Sequence, residues 1–338
     1  MFETRGASKI WTDVDYDAPG KQTGWLYLHH SVTRSAYGQI MIPIVVVQNG
    51  KGPTALFTAG NHGDEYEGQI GLLRLIRTLD PAMIQGRVIM LPAVNLPAAL
   101  AGTRTSPLDA GNLNRSFPGD PSGPPTKQIA YYVDSVLFPL ADHFHDLHSG
   151  GGSLDYLPFA STHFGDDAAA NAEGLEALQA FGAPLSVVWL DSKDPAFSPA
   201  AAMRRGVTAL GGEFGGCGSV NLDGVTLVEA GLKRSLATLG ILDPALAPPP
   251  GGPIRLMHCP GRQHFVYAPE PGLFEPAVRL GDWVEAGDLA GLVHFVDNPA
   301  RNPVPCHFQG AGMVVCKRHP GRVERGDCVF HLAVDAAL

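Results

Sequence analysis

The chain has 338 residues, of which 45% are hydrophobic and 17% charged, enough for one large folded domain and a smaller companion. A formal net charge of -9 with no basic run excludes a general nucleic-acid binder, and no apolar stretch reaches the roughly 18 residues of a membrane span. The five cysteines, Cys217, Cys259, Cys306, Cys316 and Cys328, are odd in number and none share C-x-x-C spacing, so neither a disulfide framework nor a cysteine zinc site is expected.

The N-terminus, Met1–Arg5, is polar and predicts no signal peptide; a reducing cytoplasm is the expected setting. Residues 23–48 read as strands, clearest over Ile40–Val47, with Asn49-Gly50 as the following turn. Thr54–Ala59 is a short apolar strand running into a loop with His62. A helix follows from about Glu65, with Leu72, Leu75, Ile76 and Leu79 on one stripe. Arg87–Val94 is a second buried strand. Residues 101–125, rich in Gly, Pro, Ser and Thr, form a long loop, and such a loop inside a compact domain is commonly functional. Pro125–Leu140 patterns as a helix, with Ile129, Val133, Val136, Leu137 and Leu140 on one face. The next strand carries Asp146-Leu147-His148 into Ser149-Gly150-Gly151-Gly152. Helices near 168–181 and 222–240 flank strands near 185–191 and 207–213. This alternation predicts an α/β fold over residues 1–247, with a mostly parallel sheet covered by helices. Such sheets bind ligands beyond the carboxyl ends of their strands, where His62, His148 and Glu213 are all expected.

Residues 248–253, Pro-Pro-Pro-Gly-Gly-Pro, read as a linker. Beyond it, residues 254–338 pattern as short strands and turns, a small β-sandwich or barrel. Gly272-Leu273-Phe274 leading to Gly281–Asp288 is echoed about 40 residues later by Gly312-Met313-Val314 leading to Gly321–Asp327. The layout resembles biotinyl and lipoyl domains. A carrier of that type needs a lysine at the turn between the halves, and Asp297–His307 offers only Arg301. The module therefore reads as a non-carrier that packs on or near the active site.

His62, Glu65 and His148 supply two imidazoles and one carboxylate, a set suited to a catalytic zinc with one position open to water. The His62–Glu65 spacing alone is a weak signal; the glycines around it permit tight backbone at a strand-to-helix junction. Asp64 and Glu67 read as solvated, capping or supporting carboxylates rather than ligands. Strand alternation puts Asp146 and His148 on one face and His143 and His145 on the other. The latter two read as packing or hydrogen-bonding groups; Asp146 either orients His148 or caps the edge of the site. Asn114-Arg115 is a natural clamp for a substrate carboxylate, and Arg104 offers a second positive charge. Glu213, among the glycines of Leu210–Gly216, reads equally as a general base beside a metal-bound water or as a turn residue.

Taken in chain order, His62-x-x-Glu65, Asn114-Arg115, His148 and Glu213 resemble the pattern of the succinylglutamate desuccinylase/aspartoacylase family, relatives of the zinc carboxypeptidases. The resemblance covers roughly residues 20–240, and the C-terminal β module fits the family layout. It implies a zinc-carboxypeptidase-like fold and one Zn2+ per chain held by His62, Glu65 and His148. It also implies Glu213 as catalytic base, Arg104 polarising the scissile carbonyl, and Asn114 and Arg115 holding a substrate carboxylate. The implied partner is a small N-acyl amino acid, with neither nucleic acid nor membrane, and a homo-oligomer stays open. Asp17–Lys21, Asn61–Gly68, Arg104–Pro107 and Asn112–Arg115 are similar to the branch that deacetylates N-alpha-acetyl-2,4-diaminobutyrate in ectoine breakdown. Desuccinylation, aspartoacylase activity and carboxypeptidase action on small peptides are the alternatives. A serine hydrolase built on Ser149 lacks the G-x-S-x-G elbow; the absent tip lysine argues against a carrier, and the complete ligand-plus-base set argues against an inactive scaffold.

Overall fold

A computed structural model describes residues 7–190, 196–249 and 252–336. Met1–Arg5, the end of the strand expected near 185–191, and Pro250-Gly251 of the expected linker lie outside the described residues. The first half of the chain comprises β1 (Trp11–Thr12), β2 (Gly20–His29), β3 (Gln39–Asn49), β4 (Thr54–Ala59), α1 (Tyr66–Thr78), β5 (Gly86–Leu91), α2 (Leu96–Ala101), α3 (Pro125–Tyr132) and β6 (His143–Leu147). It continues through β7 (Leu154–Tyr156), β8 (Phe159–Phe164), α4 (Ala168–Phe181), β9 (Leu185–Leu190), α5 (Ser198–Arg204), β10 (Thr208–Glu213) and α6 (Leu222–Thr238).

The large sheet is mixed. Its central strands β5, β4, β6 and β10 run parallel, and β8 enters antiparallel to β10 before pairing parallel with β9. On the other flank β2 and β3 form a long antiparallel hairpin beside β5. β4 is buried along its whole length, as a strand covered on both faces must be. Alternation divides the core. Val46, Leu56, Ile89 and Phe144 face α3 and α5, whereas Val45, Phe57, Met90 and Leu147 face α1, α4 and α6. The helix expected over Pro125–Leu140 is α3 followed by a π-turn over Val133–Leu137 and a 3-10 turn over Phe138–Leu140. The strand expected over Arg87–Val94 closes at Leu91, where the chain turns toward α2.

Beyond residue 252 come β11 (Arg255–Cys259), β12 (Phe265–Tyr267), β13 (Gly272–Pro276), β14 (Trp283–Val284), β15 (Leu289–His294), β16 (Val304–His307), β17 (Gly312–Arg318), β18 (Arg322–Val323) and β19 (Cys328–Asp335). β13, β15, β16 and β18 form a separate antiparallel sheet, and Phe274, Val293, Val314, Phe330 and Leu332 pack between it and the β17/β19 pair. The internal repeat is visible in two matching turns. Asp288 accepts the Glu285 N–H and Asp327 the Glu324 N–H, each at 2.8 Å, with Gly287 and Gly326 at φ 95° and 92°. At the expected carrier turn, Arg301 pairs with Glu270 at 2.7 Å and lies over the Phe295 ring. The module joins the large sheet: β11 pairs with β9 and β19, and β17 pairs with β7. Among the described residues no helix is long and apolar enough to cross a membrane.

Candidate active site

β4 lies between β5 and β6 and is parallel to both, so the chain leaves β4 toward α1 while β6 approaches from the other side. A crevice opens at such a switch point, beyond the carboxyl ends of the strands. His62 follows β4, His148 follows β6, and Glu213 closes β10, bridged to His148 by a parallel backbone pair. Glu65 stands at the N-cap of α1, but its carboxylate makes no capping bond. It reaches instead to both histidines: Oε1 lies 2.6 Å from His62 Nδ1 and Oε2 lies 2.8 Å from His148 Nδ1. Ligand atoms of all three residues lie within 4.8 Å of one another, and all three residues are buried.

The far nitrogens are engaged away from the cluster. His62 Nε2 lies 3.1 Å from Asn112 Oδ1, and His148 Nε2 lies 3.0 Å from Asp146 Oδ2. An imidazole that donates its Nε2–H outward presents its Nδ1 lone pair inward, which is the arrangement of a metal-ligating histidine with an oriented tautomer. Two inward Nδ1 atoms and one carboxylate fit a divalent transition metal by both donor type and spacing. Burial alone would raise the Glu65 carboxyl; His62 and His148 outweigh it and hold it well below the usual carboxylate range. Burial would depress His148, yet Asp146 and Glu65 raise it well above an ordinary imidazole. Without a metal the site therefore holds a proton on His148 that a cation would displace.

Asp146 is fully buried and accepts from Thr58 Oγ1 and Asn61 Nδ2, both at 2.8 Å, as well as from His148 and Ser198. It thus orients His148 and does not cap an edge. Glu67 is also fully buried, which removes the solvated reading. It accepts from Ser149 Oγ at 2.5 Å and from the Asn221 N–H at 2.8 Å, tying the loop after His148 to the start of α6. Asp64 accepts the Gly152 N–H at 2.8 Å. Ser149 donates its hydroxyl proton to the buried Glu67 carboxylate and lies against the His148 carbonyl, contacts that hold it as a structural group and put no imidazole beside it to act as its base. His145 packs edge-on to Phe57 on the opposite face, as alternation implies, and burial pushes its imidazole down to about 3.

The long loop brings the remaining residues in. Arg104 Nη1 lies 3.4 Å from Glu65 Oε1 and 3.3 Å from His62 Nδ1, with about half of the side chain exposed. Asn114 sits in a 3-10 turn (Leu113–Arg115), its Nδ2 3.4 Å from His148 Nε2. Arg115 donates to the Asn114 carbonyl at 2.7 Å and stacks over the Phe197 ring at 4.1 Å. Glu213 Oε2 is buried without a hydrogen-bond partner, and burial together with the Glu65 carboxylate pushes the Glu213 carboxyl up to about 8. His62, Glu65, His148, Arg104, Asn114 and Glu213 thus meet at one end of the sheet, and Arg115 stands next to Asn114 with its guanidinium on the Phe197 ring. Two further residues join the site without a sequence signal for their roles: Asn112, whose spacing in Asn112–Arg115 assigns it none, and Ser198, which has no local pattern around it.

Fold and site together define a hydrolase acting on linear amide bonds. Residues 51–239 match the succinylglutamate desuccinylase/aspartoacylase catalytic domain, and the chain belongs to that family. It is 41% identical over 326 residues to the N-alpha-acetyl-L-2,4-diaminobutyric acid deacetylase of Halomonas elongata, covering 96% of this chain and 95% of that protein. The crystal structure of a succinylglutamate desuccinylase/aspartoacylase from Rhodobacter sphaeroides matches with a TM-score of 0.92 at 41% identity, covering 97% of this chain and 100% of that one. The product-bound ectoine utilization protein EutE (DoeB) of Ruegeria pomeroyi matches with a TM-score of 0.92 at 40% identity, covering 96% and 98%.

Proposed function

We propose that this chain is a zinc-dependent deacetylase acting on N-alpha-acetyl-L-2,4-diaminobutyrate, in ectoine degradation. The observation that carries the chemistry is the convergence of His62 Nδ1, His148 Nδ1 and the Glu65 carboxylate. The likeness to the Halomonas elongata deacetylase over nearly the whole of both chains supports the substrate. His62, Glu65 and His148 would hold one Zn2+, which when bound supplies a Lewis acid that acidifies water and polarises a carbonyl.

The residues of the chain divide the remaining work. Asn114 and Arg115 bind the substrate carboxylate and fix the amide in register. Arg104, beside the cluster yet half exposed, places a guanidinium where negative charge grows on the carbonyl oxygen. Glu213 takes a proton from the attacking water and delivers it to the leaving amine. Its carboxyl is raised by the Glu65 charge, and neutralising that charge with a cation returns Glu213 toward the ionised form a base requires. The products are acetate and 2,4-diaminobutyrate.

A substrate panel tests this reading: N-alpha-acetyl-2,4-diaminobutyrate, N-acetylaspartate, N-succinylglutamate and simple dipeptides. Turnover of the first in clear preference to the others is expected. Preference for either acidic substrate, or for dipeptides, would replace the substrate assignment.

A further inference from the structure

We propose that Ser198 is a positioning residue that ties the substrate clamp to a metal ligand, using two different atoms for the two tasks; the proposal rests on the zinc-site reading above. Ser198 is the first residue of α5 and is buried. At a helix start the leading N–H groups have no intrahelical acceptor, and that of Ser198 donates to Asn114 Oδ1 at 2.9 Å. This bond fixes the polarity of the Asn114 amide. Its oxygen faces α5, and its Nδ2 group is turned toward the histidine cluster. His148 Nε2 donates to Asp146 and has no lone pair to offer, so the Asn114 Nδ2 hydrogens stay available to a carboxylate.

The Ser198 hydroxyl has one proton. Asn114 Oδ1 already receives the backbone N–H, whereas Asp146 is an ionised acceptor, so the proton goes to Asp146 Oδ2 as a charge-assisted bond. The same oxygen receives His148 Nε2–H. One residue at the tip of α5 thus sets both the amide that grips substrate and the carboxylate that aims His148. Phe197, the residue before it, carries the Arg115 guanidinium, so the whole clamp is mounted on this helix start.

Ser198→Ala deletes the hydroxyl and keeps the N–H. Ser198→Pro deletes both, at a helix position that tolerates proline and after a residue, Phe197, whose extended backbone suits it. Ser198→Thr keeps both. Zinc affinity is read by competition with a chromophoric chelator, alongside KM, kcat and thermal melting. We expect Ser198→Ala to bind zinc about tenfold more weakly, the lower end for groups that orient a ligand, with KM within about twofold of wild type, and Ser198→Thr to restore the affinity. Ser198→Pro should add a rise in KM of tenfold or so beyond Ser198→Ala, equivalent to about 1.4 kcal/mol. Wild-type zinc affinity in Ser198→Ala, or a KM in Ser198→Pro no higher than in Ser198→Ala, overturns the proposal. The zinc measurement needs no turnover, so it decides about Ser198 even if the substrate assignment fails; that failure would show instead as a wild-type enzyme that binds zinc and leaves acetyl-diaminobutyrate intact.

Discussion

Glu65 and His148 are 83 residues apart in sequence, yet Oε2 of one lies 2.8 Å from Nδ1 of the other, inside the protein. The same carboxylate reaches His62 with its second oxygen. Removing one partner from a buried charged cluster leaves the others uncompensated, at a cost of roughly 3–5 kcal/mol, and here it also removes the anionic donor. Glu65→Gln keeps the shape and discards the charge. Its metal content should fall below about a tenth of wild type, and added zinc should no longer raise the melting temperature. In wild type, zinc at about a hundredfold its Kd should stabilise by about 2.7 kcal/mol. Metal analysis and melting curves with and without zinc check this.

Glu213→Gln separates metal binding from proton transfer. Glu213 contributes no atom to the three-residue cluster, so the variant should bind zinc normally. Loss of a general base should lower kcat by about 10²–10⁴. Near-normal turnover with full metal content would sink the base assignment.

Arg115→Ala should act on KM. The guanidinium is oriented by the Asn114 carbonyl and the Phe197 ring, and a hydrogen bond to a charged group contributes about 1.5–3 kcal/mol. The expected rise in KM is between about ten and a hundred and fifty times, with kcat and zinc content less affected. Steady-state kinetics on the preferred acyl-amino acid measures it.

Interior histidines should make the fold acid-sensitive. Burial pushes His145 down to about 3 and His163 to about 4; burial, with His264 nearby, pushes His331 to about 3. Each is neutral in the folded chain and titrates near 6.5 when unfolded. Above about pH 6.5 they cost nothing. As pH falls from there toward 3–4 the unfolded chain takes up protons that the folded chain refuses, so each removes up to about 1.4 kcal/mol per pH unit. Urea unfolding at pH 7 and pH 5 should show the loss, and His145→Phe, set between Phe57 and Phe181, should shrink it by one histidine's share. A pH-independent stability between 7 and 5 would contradict the assignment.

Gly68 marks where α1 presses on β6. A Cβ there would come within 2.5 Å of Leu147 Cβ and 2.8 Å of its carbonyl oxygen. Gly68→Ala must push the helix carrying Glu65 away from the strand carrying His148. It should weaken zinc binding as well as lower the melting temperature, a pairing that a remote destabilising substitution would not produce.

Much of this was legible in the sequence because the signals were local. β4, α1 and α6 carry clean apolar patterns, and glycines mark the turns in which His62 and His148 sit. Strand alternation groups Asp146 with His148 on one face and His143 with His145 on the other. β7, β8 and α5 went unread for physical reasons. β7 is three residues long and exists because β17, far along the chain, pairs with it. Phe159–Phe164 mixes serine, threonine and histidine among its apolar positions, and α5 spans seven residues after a segment with no periodic pattern. Ser198 and Glu67 show the same limit: their roles lie in partners 52 and 154 residues away, and such distances leave no trace in spacing.

The most direct test of the central claim is turnover of N-alpha-acetyl-2,4-diaminobutyrate by chain stripped with a chelator and then restored with one equivalent of zinc. The account predicts that activity vanishes on stripping and returns with zinc in wild type but not in Glu65→Gln. Undiminished turnover by protein shown to be metal-free would contradict it.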